Sequence, residues 1–134
     1  MLYVTDTHPL LYFITGKTRR LGKTARRIFE DAEHGRAHVI VPITVLEEIL
    51  RLQEKGTIHL TLPFHEFVAR YQKGAGSFAI QDYTPDILLS VSQFPAIRDP
   101  FDRVIVATAS ALDYPLITND GFLRDGQFVP IVWE

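Results

Sequence analysis

The chain has 134 residues, 46% of them hydrophobic and 22% charged, a net charge of −2 and no cysteine. That length fits one domain, residues 1–134, with a core large enough to need no staple, and the composition is that of ordinary globular protein without disulfides or thiolate metal sites. No apolar run approaches the roughly 20 residues that span a bilayer, no basic segment followed by an apolar one opens the chain, and the expected setting is soluble and cytoplasmic, with no membrane partner.

Taken in order, Met1 to Thr5 is a short β-prone run that meets Asp6-Thr7-His8-Pro9, a buried strand ending in an acid. Pro9 is suited to open a short helix through Leu10, Leu11 and Phe13 that Gly16 stops. Leu21, Ala25, Ile28, Phe29 and Ala32 then recur at helical spacing up to Gly35. The charges of this amphipathic helix oppose its dipole: Lys17, Arg19, Arg20, Lys23, Arg26 and Arg27 crowd the start, and Glu30, Asp31 and Glu33 the end. Helix stability did not choose that order. With so little net charge, any attraction to nucleic acid has to be local. Arg19, Arg20, Lys23, Arg26 and Arg27 are therefore candidate contacts to RNA phosphates, and a solvated face relieved by nearby acids is the competing reading.

His38 to Val41 is a second β-prone run that Pro42 ends, and Ile43 to Leu52 form a helix closed by Lys55-Gly56. One of its paired glutamates must lie near the apolar face. Glu47, with Ile43 at i−4 and Leu50 at i+3, is favoured over Glu48, the competing role for Glu47 being a surface pair with Arg51. Pro63 to Lys73 reads as a helix with Phe64, Phe67, Val68 and Tyr71 on one face, and Gly74-Ala75-Gly76 as a turn. Phe78 to Tyr83 is a third strand, and Thr84-Pro85 starts a helix that continues to Phe94.

In the next helix Asp99 is suited to the N-cap, Pro100 to the first position, and Val104 to Ala109 to the core. Asp102 faces the same side as Val106 and Ala109, at i+4 and i+7, which draws an acid inward and demands a partner. Leu116-Ile117-Thr118 is a short strand followed at once by Asn119-Asp120-Gly121, with a turn as the plain alternative for Asp120. Val129 to Trp133 is the last strand.

Strands alternating with amphipathic helices imply an α/β sandwich on a mostly parallel sheet. Sites in such sheets form beyond the carboxyl ends of the strands. Asp6, Glu47, Asp102 and Asp120 would meet at that rim, where four carboxylates cannot all stay ionised without a cation. Oxygen-only ligands point to Mg²⁺ or Mn²⁺.

Four blocks, Leu2-Tyr3-Val4-Thr5-Asp6-Thr7-His8-Pro9-Leu10-Leu11, Pro42-Ile43-Thr44-Val45-Leu46-Glu47, Asp99-Pro100-Phe101-Asp102-Arg103 and Leu116-Ile117-Thr118-Asn119-Asp120, together resemble PIN-domain ribonucleases of the VapC toxin type. They stand in the family's order across nearly the whole chain. The resemblance implies a three-layer α/β/α sandwich and a Mg²⁺- or Mn²⁺-dependent endoribonuclease leaving a 5′-phosphate and a 3′-hydroxyl. It implies a catalytic and metal-binding quartet of Asp6, Glu47, Asp102 and Asp120, with Asp99 and Thr118 in support. It also implies an RNA substrate, a cognate antitoxin and a homodimer. Tyr12 stands where many relatives have tryptophan, and Leu46 where an aromatic residue is frequent. A receiver domain would need adjacent acids after the first strand and a late lysine, and none follows Lys73. A haloacid dehalogenase-like phosphatase would need an aspartate where His8 stands. A non-cutting PIN-like scaffold and a housekeeping RNA-processing nuclease are the alternatives.

Overall fold

The computed structural model describes residues 1–74 and 76–134, so the middle of the expected Gly74-Ala75-Gly76 turn lies outside the described residues. Five short strands, β1 (Leu2–Thr5), β2 (His38–Pro42), β3 (Phe78–Gln81), β4 (Leu116–Ile117) and β5 (Ile131–Val132), form an all-parallel sheet in the order β3-β2-β1-β4-β5. The chain winds outward from β1 to β3 and then returns to the other side of β1 with β4. The strand order therefore reverses between β1 and β4, where a crevice opens beyond the carboxyl ends of the strands.

Helices flank the sheet: α1 (Thr7–Ile14), α2 (Lys23–Glu33), α3 (Ile43–Glu54), α4 (Phe64–Gln72), α5 (Pro85–Val91), α6 (Pro100–Leu112) and α7 (Gly121–Gly126), with a 3₁₀ turn at Thr18–Arg20. The sequence periodicities mark the buried faces. In α2, Ala25, Ile28, Phe29 and Ala32 are buried, and Phe29 stacks on Phe13 and Phe78 with ring centroids 5.1 and 6.2 Å away. Withdrawing a side chain of that size from water stabilises by about 1.5–3 kcal/mol. In α6, Ile105, Val106 and Ala109 are buried, as the spacing from Asp102 requires.

Boundaries differ from the expected ones for identifiable reasons. Helix α1 starts at Thr7, ahead of Pro9, because the Asp6 carboxylate accepts a hydrogen bond from the Thr7 N–H. Pro9 then occupies the first turn, where a missing N–H costs no intrahelical bond. Helix α5 ends at Val91 short of Phe94; the Gln93 and Phe94 amides bond three residues back, to Ser90 and Val91, and Pro95 disfavours helical backbone at Phe94. Asn119-Asp120-Gly121 is not a bare turn, since Asp120 caps α7. The last strand pairs only at Ile131 and Val132, after Pro130, which has no N–H to give the ladder.

The start of α2 is pinned at Gly22 and Ala25 to Trp133, just past the end of β5. The Ala25 N–H donates to the Trp133 carbonyl at 2.9 Å, and a Cβ at Gly22 would lie 2.3 Å from that same oxygen. A neighbouring backbone cannot swing aside as a flexible side chain does. Gly22→Ala is expected to destabilise the fold by about 1–3 kcal/mol, read as a lowered midpoint in urea unfolding with an unchanged slope.

Candidate active site

The crevice at the β1/β4 switch is a cleft of about 570 Å³ whose lining includes Asp6, Glu48, Asp99, Asp102, Asp120 and Thr118. Each acid arrives by a distinct local device. Asp6 ends β1 and starts α1; its Oδ1 accepts from the Thr7 N–H at 2.8 Å and its Oδ2 from the Thr118 hydroxyl at 2.7 Å. The Thr118 hydroxyl oxygen in turn accepts from the Asp120 N–H at 3.1 Å. Asp120 caps α7 through Oδ1, which accepts from the Leu123 N–H at 3.0 Å. Asp99 caps α6, its Oδ1 accepting from the N–H groups of Phe101 and Asp102 at 2.9 and 3.0 Å. Asp102 follows one turn inside α6, half-buried above Val106.

Glu48, not Glu47, faces the cleft, which corrects the expectation from sequence. Helix α3 begins at Ile43, and Ile43 is itself 37% exposed, so it marks the solvent side. Glu47 continues that side and pairs with the exposed Arg51 at 3.2 Å. Thr44 is buried, and Glu48, one turn beyond it, shares its face. The Glu48 carboxylate accepts a short hydrogen bond from the Thr7 hydroxyl. Thr7 thus links two of the acids, giving its N–H to Asp6 and its O–H to Glu48. No motif singled it out; its position between the strand-end acid and the first apolar turn of a helix was the available signal.

Electrostatic strain marks three of the acids, Asp6, Glu48 and Asp102. Burial pushes the Asp6 carboxyl up from its ordinary value, against the hydrogen bonds from Thr118 and Thr7. Burial likewise raises Glu48, partly offset by Thr7 and reinforced by the charge of Asp6. Asp102 is pushed up to about 7 by burial and by the charges of Asp6, Asp99, Asp120 and Glu48.

Among the described residues no three His, Cys, Asp or Glu side chains stand close enough to make a ready-formed metal-binding group. The acids line the cleft without converging on a point. The chemistry of the donor set nevertheless suits a hard divalent cation, because its charged ligands are carboxylate oxygens and their mutual repulsion is what a cation relieves.

Of the basic candidates, Arg20 alone lines the cleft. Arg26 pairs with Glu30 at 2.9 Å, while Arg19, Lys23 and Arg27 are exposed elsewhere. Another cavity of about 570 Å³, bordered by Phe13, Leu60, Phe67, Tyr71 and Phe78, holds a single carboxylate, Glu33, so the carboxylates are concentrated at the sheet edge.

A model of the PIN domain family matches residues 3–127. The chain belongs to the PIN domain family. Members of that family are generally nucleases that use divalent metals. The fold of this PIN domain is similar to that of VapBC2 from Rickettsia felis bound to a DNA fragment from its promoter, with a TM-score of 0.68 and 15% identity over 100% of both chains. It is also similar to DNA-bound VapBC from Salmonella typhimurium, with a TM-score of 0.65 and 19% identity over 98% of each chain. A toxin-antitoxin complex from Klebsiella pneumoniae matches with a TM-score of 0.60 and 19% identity, covering 95% of this chain and 94% of that one. No curated protein sequence matches significantly.

The crowding of the acids has a measurable cost. Between the ordinary aspartate value of 3.8 and about 7, the folded chain keeps on Asp102 a proton that the unfolded chain has lost. Stability in the presence of a chelator is therefore expected to fall as pH rises through that window. Asp102→Asn is expected to flatten this fall and to raise the melting temperature at pH 8 above that of the unsubstituted protein, measured by calorimetry with EDTA across pH 5 to 8.

Proposed function

We propose that the chain is a metal-dependent endoribonuclease acting as the toxin of a toxin-antitoxin pair. The observation that carries the reading is the gathering of Asp6, Glu48, Asp102 and Asp120 around one cleft at the switch point of a PIN fold. The four acids would hold Mg²⁺ or Mn²⁺. The chemistry such an ion supplies when bound is Lewis acidity toward a phosphodiester oxygen and a lowered pKa for water. The chain's own residues do the rest. Thr118 and Thr7 fix the Asp6 carboxylate from both oxygens, and Thr7 fixes Glu48, so two ligands need little rearrangement. Asp102, crowded by like charge, gains most from a cation and so couples binding of the ion to relief of repulsion. Asp120 spends Oδ1 on its helix cap, and Asp99 caps α6 from the cleft rim. Hydrolysis by activated water would require no 2′-hydroxyl nucleophile, and the products that the family resemblance implies are a 5′-phosphate and a 3′-hydroxyl.

Likeness to VapBC assemblies and to a toxin-antitoxin complex supports a small antitoxin protein as partner. A homodimer and an RNA substrate belong to the same reading.

The test is cleavage of single-stranded RNA by the purified protein with Mg²⁺, with Mn²⁺ and with EDTA. Cutting is expected with either metal and not with EDTA, and Asp6→Asn, Asp102→Asn and Glu48→Gln are each expected to lose at least about 100-fold in rate. Glu47→Gln is expected to stay within about twofold, because that side chain serves only an exposed ion pair. Metal-independent cutting, or loss of activity on changing Glu47 but not Glu48, would contradict the site as drawn. Thr7→Val is expected to lower activity about 10–100-fold, as removal of a group that orients metal ligands does, while the protein still folds.

A further inference from the structure

A cleft bordered by five carboxylates is a poor place for a polyanion. Asp6, Glu48, Asp99, Asp102 and Asp120 all line it, and the chain as a whole carries a net charge of −2. One bound divalent ion offsets part of that charge locally but does not grip a strand. Among the described residues that line the cleft, Arg20 is the single arginine or lysine.

Its placement is specific. Arg20 ends the 3₁₀ turn, its N–H donating to the Lys17 carbonyl at 3.0 Å. The next two residues are anchored, Leu21 in the core and Gly22 against the Trp133 backbone. The main chain at Arg20 is thus held in place although the side chain is exposed. Despite the nearby acids, Arg20 takes part in none of the ion pairs among the described residues, which join Arg26 to Glu30, Arg36 to Asp31 and Arg51 to Glu47. Instead its guanidinium carbon lies 5.6 Å from the centroid of the Tyr12 ring, over its face. Tyr12 also lines the cleft, with the His8 ring tilted beside it at 6.3 Å. A cation held on an aromatic face keeps its N–H donors uncommitted, and the planar guanidinium fork matches two phosphate oxygens.

We propose that Arg20, braced on Tyr12, is the phosphate-binding residue that seats an RNA strand in the acidic cleft, and that Tyr12 acts as its positioning residue. This rests on the nuclease reading and goes beyond it by naming the group that overcomes repulsion between substrate and site. It also divides the basic cluster that runs from the 3₁₀ turn into α2: Arg20 grips the strand at the cleft, whereas Arg26 serves an intrahelical pair.

The experiment measures binding of a fluorescein-labelled single-stranded RNA to the full chain by anisotropy in EDTA, so that nothing is cut, from 50 to 200 mM KCl. Arg20→Ala is expected to weaken binding at least about tenfold and to lower the slope of log K against log salt by about 0.7, the share of one phosphate contact on a single strand. Arg20→Lys is expected to fall between, since it keeps the charge and loses the fork. Tyr12→Leu is expected to weaken binding while keeping the salt slope. Arg36→Ala, at an exposed pair away from the cleft, serves as the control and should bind as the unsubstituted protein does. In cleavage assays with Mg²⁺, Arg20→Ala should raise KM with kcat changed less than about threefold, the pattern of lost uniform binding.

Unchanged affinity and slope for Arg20→Ala, or an equal loss for Arg36→Ala, would overturn the proposal and leave metal-dependent cleavage untouched. Absence of metal-dependent cleavage with Arg20-dependent RNA binding intact would instead overturn the nuclease reading.

Discussion

Repulsion among carboxylates in a half-buried crevice is the constraint around which this PIN domain is arranged. Asp102 bears it most plainly, raised to about 7 by burial and by four acidic neighbours. A fold selected for stability alone would have relieved it with an amide or an apolar side chain. Instead the protein holds the acids in place with uncharged donors: two threonine hydroxyls and a row of backbone N–H groups. Such donors steady a carboxylate without neutralising it, so the acids keep their negative charge in the cleft. Arginines that could quench the acids are turned to other partners, Arg20 to a ring and Arg51 to Glu47 and the face of Phe101.

The sheet topology makes this crowding possible. The strand order turns at β1: β2 and β3 add on one side of it, and β4 and β5 on the other. The two strand-end acids, Asp6 and Asp120, thereby come from segments more than a hundred residues apart and share one threonine. The Asp6 N–H donating to the Ile117 carbonyl at 3.0 Å extends the β1–β4 ladder up to the edge of the cleft. Register between those strands therefore determines the separation of the two acids.

Much of this was legible in the sequence, and the exceptions have physical causes. Asp6 and Asp120 were marked by apolar runs that stop abruptly at an acid, and Asp102 by its spacing to Val106 and Ala109. The glutamate differs from the sequence expectation because Ile43, whose apolar character suggests an inward face, opens α3 on the solvent side and is 37% exposed. A one-residue ambiguity at a helix start, about 100° around the axis, exchanges Glu47 for Glu48. Thr7 was overlooked because its importance is tertiary: the partner of its hydroxyl lies 41 residues away. The basic cluster is visible in the sequence as a cluster, but only the folded cleft shows that Arg20 is the member that lines it. Helix α7 was hidden because an Asn-Asp-Gly sequence suits a tight turn as well as it suits a cap.

Three of the acids at the cleft, Asp6, Asp99 and Asp120, also begin helices. The carboxylates that launch these helices are the ones that line the cleft. Asparagine can launch a helix about as well as aspartate, whereas alanine loses about 1 kcal/mol at such a position. The architecture therefore separates two kinds of inheritance. A lineage could exchange these carboxylates for amides and keep every turn of the fold while losing its charge, so a silent descendant of this protein would be recognisable by asparagines at its helix starts rather than by a damaged core.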